Sequence, residues 1–371
     1  MHQPLHVAHL TSAHPSGDTR IFVKECRSLA RAGYRVSLIA TNAVKETKDG
    51  VNIIGVPFSG GRIKRMLFAS KSVYKKALEL NADIYHFHDP ELLAYGVKLA
   101  RKGKIVVYDS HEDLPRQVMT KHYIPFWMRK WVSQITEARE NKAARQLAGV
   151  VAATPIIRNR FEKIGIQCID VCNYPSLEDM PAPVPFSSKE KVACYIGSIT
   201  EVRGIREKIN AMNGANFILH LAGAFSPAEL ESEMRQQPGW HQVQYHGFAD
   251  RKGVRKLLDQ SMVGLVTLRP VKSFSEALPV KMFEYMAAGI AVIATNIPLW
   301  KSIIDDAHCG LSVDVFNEDA LRSAIEQLIN DTDRAEQLGK NGRKAVEEKY
   351  NWSIEEKKLL RFYETLAAQP K

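Results

Sequence analysis

What most constrains the fold of this chain is a rhythm: short apolar runs of strand length alternate with helical patterns almost from end to end. That alternation is the mark of parallel sheets whose faces are covered by helices. The first half supplies "LHVAHLT", "YRVSLIA", "VNIIGVP", "DIYHFH", "KIVVYDS" and "GVVAAT", and the second supplies "VACYIGSI", "NFILHLAG", "VQYHG", "VGLVTL" and "AVIAT". Between them, "NYPSLEDMPAPVPFSSKEK" has the proline, serine and charge of a linker. The expected fold is α/β, with two Rossmann-like doubly wound domains over residues 1–175 and 191–351 and a linker over 176–190. Two such domains leave a cleft beyond the carboxyl ends of their strands, where ligands are expected. The tail from Asn317 reads as three successive helices.

At 371 residues the chain can build two cores, and 45% hydrophobic with 25% charged residues is the composition of a soluble globular protein. No apolar run approaches membrane-spanning length and no secretory signal is evident, so a cytoplasmic location is expected. Five scattered cysteines without a C-x-x-C pair argue against a disulfide framework and a structural zinc site. A net charge of +10 calls for an anionic partner: nucleic acid, a membrane surface or a phosphorylated small molecule. No arginine-rich tail, zinc finger or RNA-binding aromatic signature is present, which disfavours nucleic acid. Neither half carries G-x-G-x-x-G after its first strand, and no Walker lysine motif occurs.

Several motifs sit where chemistry would be placed. In "SEALPVKMFEYMAAGIAVIATN", the spacing predicts a helix from about Pro279 to Ala288, stopped by Gly289. Glu276 lies in the loop before it and Glu284 one turn inside. Lys281 falls in the first turn, where the helix dipole disfavours a cation unless an anion is near. It is either solvated or beside a phosphate. Arg203 follows the strand "VACYIGSI", with Gly204 opening the next helix; it is a loop arginine or a phosphate ligand. "HPSGDTRIF" follows the first strand: Gly17 permits a tight turn, Arg20 reaches the cleft mouth, and Asp18 either does so too or caps a helix. "HFHDPELL" and "YDSHEDLPRQ" end two strands with His88, Asp89, His111, Glu112 and Asp113. A histidine beside carboxylates can orient or deprotonate a hydroxyl, and is equally at home as a structural group. Alternation places His86 and His88 on one face, but without a third ligand no metal is expected. "DTD" at Asp331 to Asp333 falls between helices and reads as an N-cap. "RIKRMLFASKSVYKKAL" and "KHYIPFWMRKW" mix basic and aromatic residues, suiting either an interfacial helix on anionic lipid or a helix packed on its own domain.

Together these motifs resemble those of the retaining family 4 glycosyltransferases, with the GT-B fold, over almost the whole chain. Glu276 and Glu284 match the family's E-x7-E spacing, and "PVKMFEYMAAG" has the form found in polysaccharide-assembly members. "GSITEVRG" is similar to the family's G-R-x4-K-G segment, with Ser198 in place of its arginine. The resemblance implies that Glu284 binds the ribose of a nucleoside diphosphate sugar, while Glu276 and the amides around Leu278, Pro279 and Val280 hold the sugar and diphosphate. Arg203, Gly204, Lys208 and Lys281 would grip the phosphates. His111 would stand next to the transferred sugar, with Gly17, Asp18, Arg20, His88, Asp89, Glu112 and Asp113 on the acceptor side. A final helix over 352–371 would cross back to the first domain. The implied activity is metal-independent, retaining transfer from a UDP-linked sugar to a lipid-linked or polysaccharide glycan, with peripheral contact to anionic membrane and no cofactor. A non-hydrolysing nucleotide-sugar epimerase and a non-catalytic nucleotide-sugar-binding subunit are the alternatives.

Overall fold

The computed structural model describes residues 4–61, 64–119, 121 and 124–368. Arg62 of the first basic stretch and His122 and Tyr123 of the second lie outside the described residues. The chain divides into two compact units: Met1–Asn173 together with Ser353–Lys371, and Tyr174–Trp352.

The first unit is built on β1 (His6–Thr11), β2 (Arg35–Thr41), β3 (Glu46–Lys48), β4 (Val51–Val56), β5 (Ile84–Phe87), β6 (Ile105–Ser110), β7 (Gly149–Ala152) and β8 (Cys168–Asp170). Their order is β3-β4-β2-β1-β5-β6-β7-β8. All neighbours are parallel except β3, a three-residue edge strand antiparallel to β4. Every residue of β1 is buried, as a strand covered on both faces must be. Strand order reverses at β1, so the loops after β1, β5 and β6 gather at the switch point where such sheets bind ligands. Those loops carry His14 to Asp18, His88-Asp89 and His111 to Asp113.

The helix Trp352–Ala367 packs on this unit, where Phe362 lies against β7. A Cβ at Gly149 would stand 2.6 Å from the Phe362 ring, so only glycine lets the helix dock this closely. The Cys172 N–H donates to Glu355 at 2.8 Å and Tyr363 Oη bonds His86 at 2.7 Å, which fixes the helix along its length.

The second unit carries β9 (Val192–Ile196), β10 (Ile218–Ala222), β11 (Val243–Tyr245), β12 (Val263–Val266), β13 (Ala291–Thr295) and β14 (Gly310–Val313), all parallel in the order β11-β10-β9-β12-β13-β14. Here order reverses between β9 and β12, and the loops after these strands bring Gly197 to Gly204 and residues 267–279 together. The following helix runs Val280–Ala287, one residue shorter at each end than its spacing predicts, with Pro279 extended at the N-cap and Gly289 left-handed beyond it. Tyr285 of this helix lies over Gly264 of β12, where any side chain would collide with the ring, and Tyr285 Oη accepts the Ile196 N–H at 3.0 Å. The helix is thereby locked beside the end of β9. Asp331 caps the helix Thr332–Glu348 by accepting from the Arg334 N–H, as the "DTD" spacing predicts.

Residues 176–190 behave differently from a free linker. Arg343 donates to the carbonyls of Met180 and Pro181, Arg255 to those of Pro181 and Ala182, and Lys189 to Leu258. These charged hydrogen bonds hold the proline-rich stretch on the second unit.

Candidate active site

In the second unit, Lys281 stands in the first turn of the helix Val280–Ala287, with its Nζ enclosed and without a hydrogen-bond partner. It rests 3.9 Å from the centre of the Tyr195 ring, a contact that stabilises a cation only weakly compared with water. Burial, reinforced by the neighbouring Arg203 and opposed by Glu284, pushes Lys281 down to about 7. An ammonium enclosed without a hydrogen-bond partner is costly, so the amine is held partly uncharged.

The space beside it is shaped for an anion. Gly197, with φ +131°, ends β9 so that a Cβ there would lie 3.0 Å from Lys281 Nζ and 3.9 Å from Arg203 Nη1. Two cations thus converge on a spot kept clear by a glycine. The N–H groups of Val280 and Lys281, at the start of their helix, have no intrahelical carbonyl to bond and add a positive dipole end. The loop before the helix is pinned by Trp300, whose Nε1 donates to the Ala277 carbonyl at 2.7 Å. Glu276 and Leu278, flanking that carbonyl, are half-buried, as is Glu284 one turn into the helix. Gly197 was not among the residues singled out from the sequence. Its signal was present, a glycine directly after a strand and six residues before Arg203.

Lys208 is not part of this cradle. Its Nζ donates to the carbonyls of Arg203 at 2.7 Å, Thr267 at 2.8 Å and Gly204 at 3.3 Å, and the side chain is fully buried. With three carbonyls around it, the amine has no donor to spare for a phosphate. Lys208 instead ties the Arg203 loop to the end of β12, and Gly204, left-handed at φ +70°, permits the approach because a Cβ would collide with the Thr267 carbonyl.

In the first unit, His111 is one-fifth exposed and its Nε2 lies 2.9 Å from Asp109 Oδ2. Asp109 is fully buried at the end of β6 and receives Arg20 Nε at 2.9 Å and Nη2 at 2.8 Å. Despite burial, the Arg20 guanidinium and the bonds from His111 and His88 hold the Asp109 carboxyl well below the usual range. Behind it lie three imidazoles, with His9 and His86 each stacked on His88: His88 Nδ1 is 3.0 Å from Asp109, His88 Nε2 is 2.9 Å from His9 Nδ1, and His86 lies 4.8 Å from His88 between ring centres. Burial pushes all three histidines down, and burial together with the Asp109 charge pushes Glu25 well up. Burial thus disfavours the charged form of each of these four groups.

Several residues expected on the acceptor side are placed otherwise. Arg20 is buried on Asp109 and the Val171 carbonyl rather than at a cleft mouth, because Asp109 offers it two oxygens inside the unit. His88 is interior, one layer behind His111. Asp89 is also buried, and accepts from Thr11 Oγ1, the Ser12 N–H and Ser12 Oγ, tethering the loop after β1. Asp113 caps the helix Leu114–Val118. Asp18 caps the helix beginning at Thr19, accepting from the Arg20 and Ile21 N–H groups, and also lies 3.4 Å from His14 Nδ1. Gly17 sits in a turn closed by the Asp18 N–H on Pro15, but its φ is not left-handed and a Cβ would meet nothing within 4 Å, so the turn does not require glycine. Glu112 is exposed. His14, which opens "HPSGDTRIF" but was not singled out, lies 5.0 Å from the His111 ring and 3.6 Å from Asp89.

Glu25, His86, His88 and Asp109 bring ligand atoms within 4.8 Å of one another, so a third and fourth candidate ligand do exist beside the histidine pair. They come from residues 61 positions before His86 and 21 positions after His88, a juxtaposition no local spacing reveals. The Arg20 guanidinium already lies 3.1 Å from Glu25 and 2.9 Å from Asp109, which gives this cluster its cation.

Two α/β units built on parallel sheets are the architecture of GT-B glycosyltransferases. The chain belongs to the group 1, family 4 glycosyltransferases: the model for Glycosyltransferase Family 4 matches residues 16–172, and that for Glycosyl transferases group 1 matches residues 178–345. It is accordingly an enzyme of glycosyl transfer. A phosphatidyl-myo-inositol mannosyltransferase of Mycobacterium leprae is 21% identical over 85% of this chain and 82% of its own. Among solved structures, the sucrose-phosphate synthase of Thermosynechococcus elongatus superposes with a TM-score of 0.79 at 19% identity, covering 98% of this chain and 99% of that one. Anabaena HepE in complex with UDP-glucose superposes with a TM-score of 0.70 at 14% identity, covering 97% and 100%.

Proposed function

We propose that this glycosyltransferase takes its sugar from a UDP-linked donor, retains the anomeric configuration without a metal, and delivers the sugar to a lipid-linked or polysaccharide glycan. The observation that carries the reading is the enclosed, partnerless Nζ of Lys281 beside Arg203 and Gly197. A diphosphate set there meets two cations and a helix N-terminus, a combination that supplies the charge a metal would otherwise bring. The UDP complex of a structural neighbour and the E-x7-E spacing support the donor and the stereochemistry. In this reading Glu284 binds the ribose hydroxyls, while Glu276 and the amides of Leu278 and Val280 hold the sugar and diphosphate. His111 acts on the transferred sugar. Catalysis comes from positioning and from stabilising the departing diphosphate, whose oxygen takes the acceptor proton on the face it leaves.

Contact with anionic membrane belongs to the same reading. Phe126, Trp127 and Trp131 are exposed near the start of the helix Phe126–Ala144, with Lys130 exposed among them, and Met66, Leu67 and Phe68 are exposed next to Lys64. Aromatic side chains that are bare to solvent and accompanied by cations suit the headgroup region of an anionic bilayer. No described helix is long and apolar enough to cross a membrane, so the contact is peripheral.

Purified protein incubated with a panel of nucleotide sugars tests this reading. Diphosphate should be released from a UDP-sugar only when a membrane extract supplies acceptor, equally with magnesium or EDTA, and the product should keep the donor's anomeric configuration. Donor consumption without acceptor, or loss of activity in EDTA, would refute it.

A further inference from the structure

We propose that Asp109, held by Arg20 and shared with His88, is the positioning residue for His111: it binds the Nε2 proton and leaves Nδ1 as the ring's hydrogen-bond acceptor. The inference deepens the proposed role of His111 and rests on it only for its kinetic consequence.

The hydrogen-bond geometry decides the tautomer. His111 Nε2 lies 2.9 Å from Asp109 Oδ2 and 3.1 Å from His88 Nδ1. A bare nitrogen facing an ionised carboxylate at 2.9 Å would set two lone pairs against each other, so Nε2 carries hydrogen. Asp109 is kept ionised by the two-pronged contact from Arg20, whose third bond, to the Val171 carbonyl at 2.6 Å, prevents the guanidinium from swinging away.

The inner histidines follow. His88 Nδ1, at 3.0 Å from the same oxygen, also donates to it, so its 3.1 Å approach to His111 Nε2 is two donors converging on one carboxylate oxygen and not a hydrogen bond, and His88 Nε2 is left bare to accept from His9 Nδ1 at 2.9 Å. The row then ends at His9 Nε2, which is buried without a partner. Reversing the row would place an N–H at that dead end in place of a lone pair, and orphaned buried donors are the rarer and costlier case. The arrangement thus runs in one direction, from His9 to the Asp109 carboxylate, and His111 donates to the same oxygen from the outer side.

The consequence is a histidine with a single tautomer before substrate arrives. Its free Nδ1 suits a sugar hydroxyl that donates, and the ring needs no reorganisation at the moment of reaction.

The test reads the tautomer directly. With 15N-histidine-labelled protein, long-range proton–nitrogen correlation spectra should show His111, identified by the signal lost in His111→Gln, with a protonated-type Nε2 and a bare-type Nδ1. In Asp109→Asn the pattern should change to a mixture or to the opposite tautomer, and kcat should fall ~10-fold or more while KM for the donor stays within about threefold. Removing the carboxylate leaves the buried Arg20 with only Glu25 and the Val171 carbonyl, so that variant is at risk of misfolding; the wild-type spectrum alone then decides. A protonated-type Nδ1 in wild type would overturn the proposal, as would an Asp109→Asn protein with unchanged tautomer and unchanged kcat. So would elemental analysis finding one equivalent of a transition metal that is lost with Asp109→Asn, since His88 and Asp109 would then serve the ion. If the tautomer is as assigned but His111→Gln is fully active, the positioning stands and the role of His111 in transfer fails.

Discussion

Lys281 makes a quantitative test of the diphosphate site, because a lysine held down at about 7 must change charge when an anion binds. At pH 8 a group with that value is ~0.1 protonated, at pH 7 ~0.5, and at pH 6 ~0.9. A diphosphate at Nζ restores the ordinary preference for the charged form, towards 10.5, so the complex is fully protonated throughout this range. Binding should therefore take up ~0.9 proton at pH 8, ~0.5 at pH 7 and ~0.1 at pH 6. The sign follows from the depressed value: above about 7 the free enzyme holds a neutral amine, so affinity weakens by nearly tenfold for each further pH unit until the ordinary value is approached. Titration calorimetry with UDP, repeated in buffers of different ionisation enthalpy between pH 7.5 and 9, measures the proton count while the nucleotide's own phosphate stays ionised. Lys281→Met should bind UDP poorly and without proton uptake. It should also unfold at a higher temperature than wild type without ligand, because it replaces an unpartnered buried amine with an apolar chain of similar length. Zero uptake in wild type across that range, or the same uptake in Lys281→Met, would refute the placement of the diphosphate on this lysine.

Glu284→Ala should weaken UDP binding by roughly 1.5 to 3 kcal/mol, the loss of a charged acceptor, whereas His111→Ala should leave UDP affinity nearly intact and lower turnover ~100-fold; calorimetry beside initial rates separates the two. The His14–Asp18 pair sets a pH window. Burial opposes ionisation of Asp18, but the His14 contact and the helix N–H groups bring it to about 2 from 3.8, so its stabilisation is present above 3.8 and lost as pH falls through about 2. Asp18 raises His14 from 6.5, against burial, so that part is present below 6.5 and lost as pH rises through the raised value. The difference in melting temperature between wild type and Asp18→Asn should accordingly be widest between those limits and narrow on both sides. Sedimentation with anionic vesicles should fall with added salt and fall again in a Trp127→Ser, Lys130→Glu variant, each cation near such a surface being worth roughly 1 kcal/mol; equal binding to neutral vesicles would count against membrane docking.

The eleven apolar runs of the sequence all appear as strands, because a strand buried on both faces must be written as a continuous apolar segment. The strands that escaped notice are β3, β8 and β14. "ETK" at β3 is polar and wholly exposed, so burial leaves no trace in it, while "CID" at β8 and "GLSV" at β14 each mix polar with apolar residues and so do not read as apolar runs. The cradle was legible as far as its motifs reached: Lys281 and Arg203 stand together as their positions at strand and helix ends imply. What composition could not tell was which lysine keeps its protons free. Lys208 and Lys281 are both helix-borne lysines near a strand end, and only the carbonyls around Lys208 distinguish them. The interior behind His111 was illegible for a different reason. Arg20 and Asp109 are 89 residues apart, and His9 faces His86 through the register of β1 and β5, which no local pattern specifies.

The discontinuity of the first unit bears on how the protein is made. Residues Tyr174–Trp352 form one uninterrupted unit, so a nascent chain has everything needed to close it before the last helix exists. The earlier segment does not. Until Trp352–Ala367 has been synthesised, Gly149 lacks the ring that covers it, and His86 lacks the Tyr363 hydroxyl. The unit begun first is therefore completed last, and a chain released without this helix would have a whole second unit and an open histidine-lined interior.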